Sequence, residues 1–320
     1  MLLQRSLILV ILLGFLFSVL LGPVLIPVLK KINAGQSIRQ EGPESHLVKQ
    51  GTPTMGGFIF ILAAITASLM MTRMDKVLLV AVFSVLAFAA IGLMDDYIKV
   101  VLQRSMGLRA YQKLIMQFTA AGGMLILAHQ SGVLPQRLYI PYLRLMVDLG
   151  WWMVPFFMWV IVGTVNSVNL TDGLDGLAAG TMVMISGFFS LVCWHLGLTS
   201  LAWFSGALSG ACLGFLVFNI YPARVFMGDT GSLALGGALS AIALMSNMTL
   251  LLPVVGGIFF AETLSVILQV AGFKLTRRRL FKMSPLHHHF ELSGWSETRV
   301  VTTFWGITLV LCLVGILGIP

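Results

Sequence analysis

Long apolar stretches separated by short polar loops run through the whole chain. Ten of them can be delimited, and each approaches the 17–25 residues or so that a membrane-spanning helix requires. The first five are Leu7–Leu29, Thr54–Thr72, Val77–Met94, Leu114–Ala128 and Trp151–Val165. The second five are Leu177–Trp194, Ser200–Phe218, Ser232–Met245, Leu250–Gly272 and Val301–Ile319. The pattern predicts an all-α, polytopic integral membrane protein with about ten transmembrane helices in a single domain, residues 1–320.

The composition supports this fold class and excludes an ordinary soluble domain. Of the 320 residues, 58% are hydrophobic and only 10% are charged, whereas a soluble domain is roughly one quarter charged. The three cysteines all lie inside apolar stretches: Cys193, Cys212 and Cys312. They are therefore expected to be apolar filler, with neither a disulfide nor a metal framework.

Positive charge divides the loops into two sets. Numbered from the amino terminus, the odd loops contain 15 of the 20 Lys and Arg residues. These loops are residues 30–53, 95–113, 166–176, 219–231 and 273–300. Because positively charged loops stay in the cytosol, the odd loops are predicted to face the cytosol and both termini to face outward. This topology, together with contact to anionic membrane lipid, accounts for the net charge of +8, so nucleic acid is not predicted as a partner.

Acidic residues gather on the same side, although only Lys and Arg were used to set the topology. Nine of the 12 fall in the odd loops. A transporter or flippase would place polar groups near the membrane midplane, where only Glu262 is found. A structural scaffold would not require acidic residues to gather in the loops of one side. The distribution therefore favours an enzyme at the cytosolic face. Glu262 itself suggests either a polar groove or a helix broken near Gly256 and Gly257, and its role stays open.

Two acidic motifs are candidate cation or phosphate sites. Asp95 and Asp96 end the third stretch, where the helix dipole disfavours carboxylates, so Lys99, Lys113 or a divalent metal should compensate them. The alternative is a pair of solvated boundary residues. Asp229 lies between glycines before a new helix, where a carboxylate should stay ionised as a metal ligand requires. The alternative here is N-capping by Asp229 or Thr230.

The third odd loop, residues 166–176, carries regularly spaced polar side chains. Asn166, Asn169, Asp172 and Asp175 recur at every third position, and Gly173 and Gly176 should break the helix and let a ligand approach the backbone. The alternative is a polar turn between helices.

Residues 287–289 are three consecutive histidines. Their side chains should diverge, which disfavours zinc and favours phosphate binding; the alternative is a solvated basic loop.

Together these motifs resemble those of the polyprenyl-phosphate N-acetylhexosamine-1-phosphate transferases, over essentially the whole chain. The segments that carry the resemblance are Thr52–Gly57 (TPTMGG), Asp95-Asp96, Asn169–Asp175 (NLTDGLD), Gly228–Gly231 (GDTG) and Pro285–Glu291 (PLHHHFE). The first and last are similar to the muramoyl-pentapeptide branch. A sister branch that uses UDP-N-acetylglucosamine is the nearest alternative.

The resemblance implies a reaction. Undecaprenyl phosphate would accept phospho-N-acetylmuramoyl-pentapeptide from UDP-N-acetylmuramoyl-pentapeptide, with release of UMP, in the first membrane step of peptidoglycan synthesis. It also implies dependence on Mg²⁺, a homodimer, and a place in the bacterial cytoplasmic membrane with the active site facing the cytosol. A single displacement by the lipid phosphate is favoured over an aspartyl-phosphate intermediate, which stays open.

The resemblance also implies roles for individual residues. Asp229 would ligate magnesium, Asp95 and Asp96 would act at the reaction centre, and His287 and His288 would contact phosphates. The residues expected to line the uridine site are Lys49, Asp175, Asn219 and Phe226. Those expected to contact the sugar–phosphate region are Thr54, Lys113, Asn169 and Asp172.

Overall fold

The computed structural model describes residues 2–31, 51–104 and 107–320, and its regular structure is almost entirely helical. The first six helices are α1 (Leu2–Lys31), α2 (Gly57–Met71), α3 (Lys76–Val100), α4 (Ala110–Gln130), α5 (Met153–Thr171) and α6 (Leu177–His195). The others are α7 (Thr199–Asn219), α8 (Gly228–Met245), α9 (Leu252–Val255), α10 (Gly257–Thr276), α11 (Leu286–Glu291) and α12 (Glu297–Ile316). A small antiparallel hairpin, β1 (Leu138–Ile140) and β2 (Leu145–Val147), pairs Leu138 with Val147.

The prediction of an all-α, polytopic membrane protein is confirmed. Among the described residues, seven helical segments are long and apolar enough to cross a membrane. They are Ser6–Lys31, Lys76–Val100, Gly150–Thr171, Leu177–His195, Thr199–Asn219, Gly257–Thr276 and Glu297–Ile316. The other three predicted stretches also contain helices, namely the shorter α2 and the less apolar α4 and α8. The total of ten spans and the outward termini therefore stay predictions.

Helix α8 lies at the centre of the bundle and fixes the position of the site. Every residue from Thr230 to Met245 is buried, and the helix packs against α3 and α5. Its small side chains let neighbouring backbones approach closely. The Ser84 hydroxyl of α3, for example, donates to the Gly237 carbonyl at 2.8 Å. The amino terminus of α8 is thereby held between neighbouring helices.

Two helices run further than their apolar stretches predicted. Helix α3 continues past Met94 to Val100, which places Asp95 and Asp96 on the helix rather than after it. Helix α5 likewise continues to Thr171 and carries Asn166 and Asn169. The helical hydrogen bonds continue beyond the last apolar residue, and protein groups bind the polar side chains there. The ends of α3 and α5 therefore carry polar residues that the apolar pattern did not include.

The ninth predicted stretch is interrupted, as the glycine pair indicated. A 3₁₀ turn (Thr249–Leu251) and the single turn of α9 end at Gly256, and α10 begins at Gly257. Helix α10 is largely exposed, yet Glu262 on it is completely buried. The helix break that one explanation of Glu262 required is therefore present, and the polar-groove explanation stays a prediction.

Candidate active site at the amino terminus of α8

One wall of the candidate site is made by two loops that lie far apart in sequence. The Phe226 N–H donates to the Pro53 carbonyl at 2.8 Å, and the Gly56 N–H donates back to the Phe226 carbonyl at 2.8 Å. The Gly57 N–H continues the pairing to the Met227 carbonyl at 3.0 Å. We name this set of three backbone hydrogen bonds the loop pairing. Through these bonds the TPTMGG segment supports the loop that precedes Asp229, which gives the motif a structural role.

Glycine is required where this wall meets α8. A Cβ on Gly57 would lie 2.4 Å from the Gly231 Cα, and a Cβ on Gly92 of α3 would lie 2.1 Å from the Asp229 carbonyl oxygen. Thr54 is buried beside Gly228, where an added Cβ would lie 2.7 Å from the Thr54 hydroxyl oxygen. Thr54 is therefore packed behind the start of α8.

Asp96 accepts hydrogen bonds from the first backbone N–H groups of α8. Its carboxylate accepts from the Asp229 N–H at 3.0 Å, from the Thr230 N–H at 2.8 Å and from the Thr230 hydroxyl at 2.7 Å. The N-cap position is Met227, which makes no side-chain cap bond, so N-capping by Asp229 or Thr230 is wrong. The first amides of a helix have no partner within it, and a carboxylate from α3 supplies one. Asp229 is thus released for other contacts.

The Asp229 carboxylate is the hub of a polar cluster. Its Oδ2 is 3.0 Å from Lys99 Nζ and 2.7 Å from Lys113 Nζ. Its Oδ1 accepts from the Asn169 amide at 3.0 Å, and that amide also donates to the Ser232 hydroxyl at 2.8 Å. Lys113 donates in addition to Asn169 Oδ1 at 3.2 Å. Side chains from three helices, α3, α4 and α5, therefore converge on one carboxylate at the start of α8.

Asp95 adds a second carboxyl group to the cluster. It accepts from the Leu108 N–H at 2.7 Å, forms an ion pair with Lys99, and lies within hydrogen-bonding reach of the Asp229 carboxyl. The expectation that lysine would compensate the acidic pair is confirmed for Asp95. Two carboxyl groups this close favour a shared proton or a bound cation.

Asp172 gives the site a further carboxyl group. Its backbone N–H donates to the Asn169 carbonyl at 3.3 Å, but its side chain has no hydrogen bond among the described residues. Burial together with the nearby Asp229 carboxylate raises the pKa of the Asp172 carboxyl group well above the ordinary value. Asp96 and Asp175 contribute to the same upward shift. A cation in this region would stabilise the ionised form of Asp172.

The donor set fits magnesium better than a softer metal. Within the described part of the chain, no three His, Cys, Asp or Glu side chains form a ready-made metal site. Mg²⁺ does not need one, because it is usually bound through one or two carboxylates plus substrate phosphates. Asp229 and the adjacent Asp95 supply the carboxylates, and the ammonium groups of Lys99 and Lys113 lie against the same oxygens, which shows that the position accommodates positive charge.

Asp175 and Asn219 shape the loop between α7 and α8. Asp175 Oδ2 accepts from the Ala223 N–H at 2.9 Å, and Asn219 donates to the Val225 carbonyl at 2.9 Å while accepting from the Gly176 N–H at 3.1 Å. Both side chains are buried. These contacts determine where the half-buried Phe226 lies.

The three histidines diverge to three different partners, as predicted. His287 Nδ1 lies 3.1 Å from Glu262 Oε1, and His288 Nδ1 lies 2.8 Å from Glu291 Oε2. His289 Nδ1 accepts from the Lys282 N–H at 3.1 Å. Helix α11 therefore presents no shared metal site.

The structure brings some of the predicted residues together and places others apart, with Asp175 and Asn219 at the loop between α7 and α8 and His288 against Glu291. One cluster contains Asp95, Asp96, Lys113, Asn169 and Asp229. Asp172 adjoins it and begins the loop that reaches His287 through Gly173. Lys49 lies outside the described residues.

Two residues that contribute to the site were not predicted from the sequence. Ser232 stands one helical turn after Asp229, a spacing that could have suggested it. Glu297 accepts from the Asp175 N–H at 2.7 Å and carried no comparable signal.

Comparison with known proteins identifies one matching family and several similar proteins. Residues 78–247 match the model described as glycosyl transferase family 4. A phospho-N-acetylmuramoyl-pentapeptide-transferase of Alkaliphilus oremlandii is 51% identical over 327 residues, covering 99% of this chain and 98% of the relative. Proteins of the same name from Clostridioides difficile and Bacillus subtilis are 48% and 49% identical. Their alignments cover 96% and 98%, respectively, of both this chain and the relative.

Proposed function

We propose a reaction for this chain from one premise: it belongs to the phospho-N-acetylmuramoyl-pentapeptide-transferase family. The protein is accordingly a membrane transferase that makes lipid I in peptidoglycan synthesis. In detail, undecaprenyl phosphate attacks the sugar-proximal phosphate of UDP-N-acetylmuramoyl-pentapeptide, and UMP leaves. The observation that carries this proposal is the convergence of two lysines and an amide on Asp229.

The chemistry requires positive charge where two anionic phosphates meet. Phosphoryl transfer depends mainly on positioning and on neutralising the phosphate charge. Lys99 and Lys113 place two ammonium groups at one point, and Asn169 orients the Asp229 carboxylate between them. Magnesium held by Asp229, with Asp95 alongside, would add the charge neutralisation that the lysines alone do not supply.

A single displacement fits the organisation of the carboxyl groups better than an aspartyl-phosphate. Asp96 is engaged by three donors of α8, and Asp95 by Lys99 and the Leu108 N–H. An acylphosphate on either residue would have to break those contacts. The lipid phosphate is already largely a dianion at pH 7, because its second pKa is near about 6, and it needs little help from a base.

The phosphate-proximal part of the acceptor's hydrocarbon chain is proposed to lie in a groove between α3 and α4. A cavity of about 310 Å³ is lined by Ala87, Ala90, Ile91, Met94, Met116, Thr119 and Ala120. The Thr119 hydroxyl donates to the Ile115 carbonyl at 2.9 Å and so presents no unpaired donor to the groove. Met94 directly precedes Asp95, and Met116 follows Lys113 by one turn, so an isoprenoid chain here would end with its phosphate at the cluster.

A purified-protein assay tests the reaction and its nearest alternative. We expect UMP release when UDP-N-acetylmuramoyl-pentapeptide, undecaprenyl phosphate and Mg²⁺ are all present, and loss of turnover when Mg²⁺ is chelated. The sister reaction would instead consume UDP-N-acetylglucosamine. Faster UMP release with that nucleotide would overturn the assignment of the sugar. A burst of UMP without lipid phosphate would overturn the single displacement.

We further propose a homodimer in the bacterial cytoplasmic membrane with the cluster facing the cytosol. The support for this location is the excess of Lys and Arg on the side of the cluster. Mass measurement of the protein in detergent or nanodiscs tests the oligomeric state, and a particle of one chain's mass would contradict the dimer.

A further inference from the structure

Glu262 is a buried carboxylate inside an apolar helix, and the reaction outlined above leaves it unexplained. Its exposed fraction is 0%, and its Oε2 has no hydrogen-bond partner in the described structure. A polar residue at membrane depth is costly to insert. Such a group is expected to have either a stabilising or a functional role.

The other carboxylate oxygen, Glu262 Oε1, makes two contacts, and both are with His287. Glu262 Oε1 accepts from the backbone N–H of His287 at 3.2 Å and lies 3.1 Å from its ring Nδ1. Because Oε1 already accepts from the backbone N–H of His287, the geometry fits a second donation to the same oxygen from the ring Nδ1–H. Glu262 thus sets the orientation of the ring through two bonds.

This arrangement leaves the other ring nitrogen free to face the loop after α5. His287 is 1% exposed, and its Nε2 has no partner among the described residues. A Cβ added to Gly173 would lie 2.3 Å from Nε2, so the ring closely approaches the backbone beside Asp172. Buried polar atoms are normally hydrogen-bonded, and an unpartnered one at a candidate phosphate site suggests a role in binding ligand.

We propose that Glu262 is a positioning residue: it holds His287 so that Nε2 meets a phosphoryl oxygen of the nucleotide substrate. Gly173 is part of the same arrangement, because only glycine at this position leaves room for the imidazole ring of His287. The inference rests on the proposed function for the identity of the ligand. It adds that a residue within α10 acts on the substrate solely through His287.

Two conservative variants separate orientation from charge. Glu262→Gln keeps the length and the Oε1 acceptor but removes the charge, whereas Glu262→Asp keeps the charge and withdraws the acceptor by one methylene. We expect Glu262→Gln to stay near wild type. We expect Glu262→Asp to weaken binding of UDP-N-acetylmuramoyl-pentapeptide about 10–100-fold, the usual range when a histidine loses its orienting partner at a metal site. The opposite order would overturn the proposal.

A double-mutant cycle tests whether Glu262 acts through His287. The Kd for UDP-N-acetylmuramoyl-pentapeptide is measured by calorimetry for Glu262→Asp, His287→Ala and the double variant. We expect the double variant to bind no more weakly than His287→Ala, because coupled residues are not additive. Multiplicative losses, or no loss in either single variant, would overturn the proposal.

Gln269 provides a matched control on the same helix. It accepts from the Leu280 N–H at 3.0 Å and from the Phe281 N–H at 2.9 Å, so Gln269→Asn withdraws an acceptor by the same methylene. Its effect should multiply with that of His287→Ala. If wild-type protein releases no UMP, the proposed function fails; if it does and the cycle is additive, only this inference fails.

A glycine pair checks the geometry independently. Gly173→Ala should reproduce the weakened nucleotide binding of His287→Ala, since the new Cβ occupies the space of the ring. Gly163→Ala on α5 should bind normally, because an added Cβ there has no atom within 4 Å. Equal affinity in the two variants would contradict the close approach of His287 to this loop.

Discussion

At the residue scale, Asp229 should be indispensable because no other carboxylate in the described site contacts both lysines. Asp229→Asn preserves shape and removes the charge. It should abolish UMP release and remove the magnesium response, while the melting temperature stays close to wild type. The measurement is a magnesium titration of UMP release by purified protein.

The matched control for this change is Asp148→Asn in the exposed segment after β2. Asp148 accepts only a local bond from the Gly150 N–H at 2.8 Å, so activity should be unchanged. Near-normal activity with an unaltered magnesium response in Asp229→Asn would remove Asp229 from the ligand set.

Asp96 should behave differently from Asp229, because its three bonds hold the amino terminus of α8. Asp96→Ala leaves buried donors of Asp229 and Thr230 without a partner, and each such group costs about 1–3 kcal/mol. The variant should therefore lose several kcal/mol or so of stability as well as activity. Thermal unfolding in detergent measures this, and an unchanged melting temperature would contradict the capping role. Asp148→Ala, which removes one exposed local bond, is the control.

The chemistry of these residues was predictable from the sequence, but their division of labour was not. Asp229 was expected to be ionised at a helix start, and Lys99 and Lys113 were expected to compensate acidic groups. Nothing in the one-dimensional pattern shows that Asp96 caps a helix more than 130 positions later. Nor does it show that Glu262 meets His287, because both contacts depend on how the helices pack.

At the element scale, the loop pairing should tolerate no side chain at Gly57. Gly57→Ala would push a Cβ to within 2.4 Å of the Gly231 Cα and separate α2 from the start of α8. Activity should fall strongly, since the loop before Asp229 loses its support. Gly163→Ala is again the control, and equal UMP release from the two variants would show that the two loops can separate without harm.

The groove between α3 and α4 makes a separable prediction about the lipid substrate. Ala90→Phe fills the groove and should raise the KM for undecaprenyl phosphate, while the Kd for the nucleotide substrate stays unchanged. Leu79→Phe, at an exposed position on the same helix, should alter neither. An unchanged KM for the lipid in Ala90→Phe would place the hydrocarbon chain elsewhere.

The sequence predicted the presence of the helices better than the residues at which they end. All ten apolar stretches contain helices, because a backbone in apolar surroundings has to form its hydrogen bonds within the segment. The ends of α3 and α5 were placed too early, since Asp95 and Asn169 are polar yet helical. The short hairpin near Leu138 was not predicted at all, as three-residue strands leave almost no periodic signal.

At the scale of the whole molecule, orientation in the membrane can be tested by chemical labelling. The three native cysteines are buried and should not react. A cysteine at the exposed position Gln103 should react with an impermeant thiol reagent only after cells are opened, whereas one at the exposed position Gln136 should react in intact cells. The reverse pattern at both positions would overturn the assignment of the cytosolic side.

The loop pairing also constrains the order in which the protein can be made. Pro53 and Phe226 are separated by more than half of the chain, and chains emerge from the ribosome amino terminus first. The TPTMGG segment must therefore wait at the membrane surface, unpaired, until α7 and the loop after it have been synthesised. A nascent chain that stops before Phe226 has inserted several helices but has neither the wall nor Asp229. Interrupted synthesis should thus yield an inactive partial bundle for membrane proteases, never a slower enzyme.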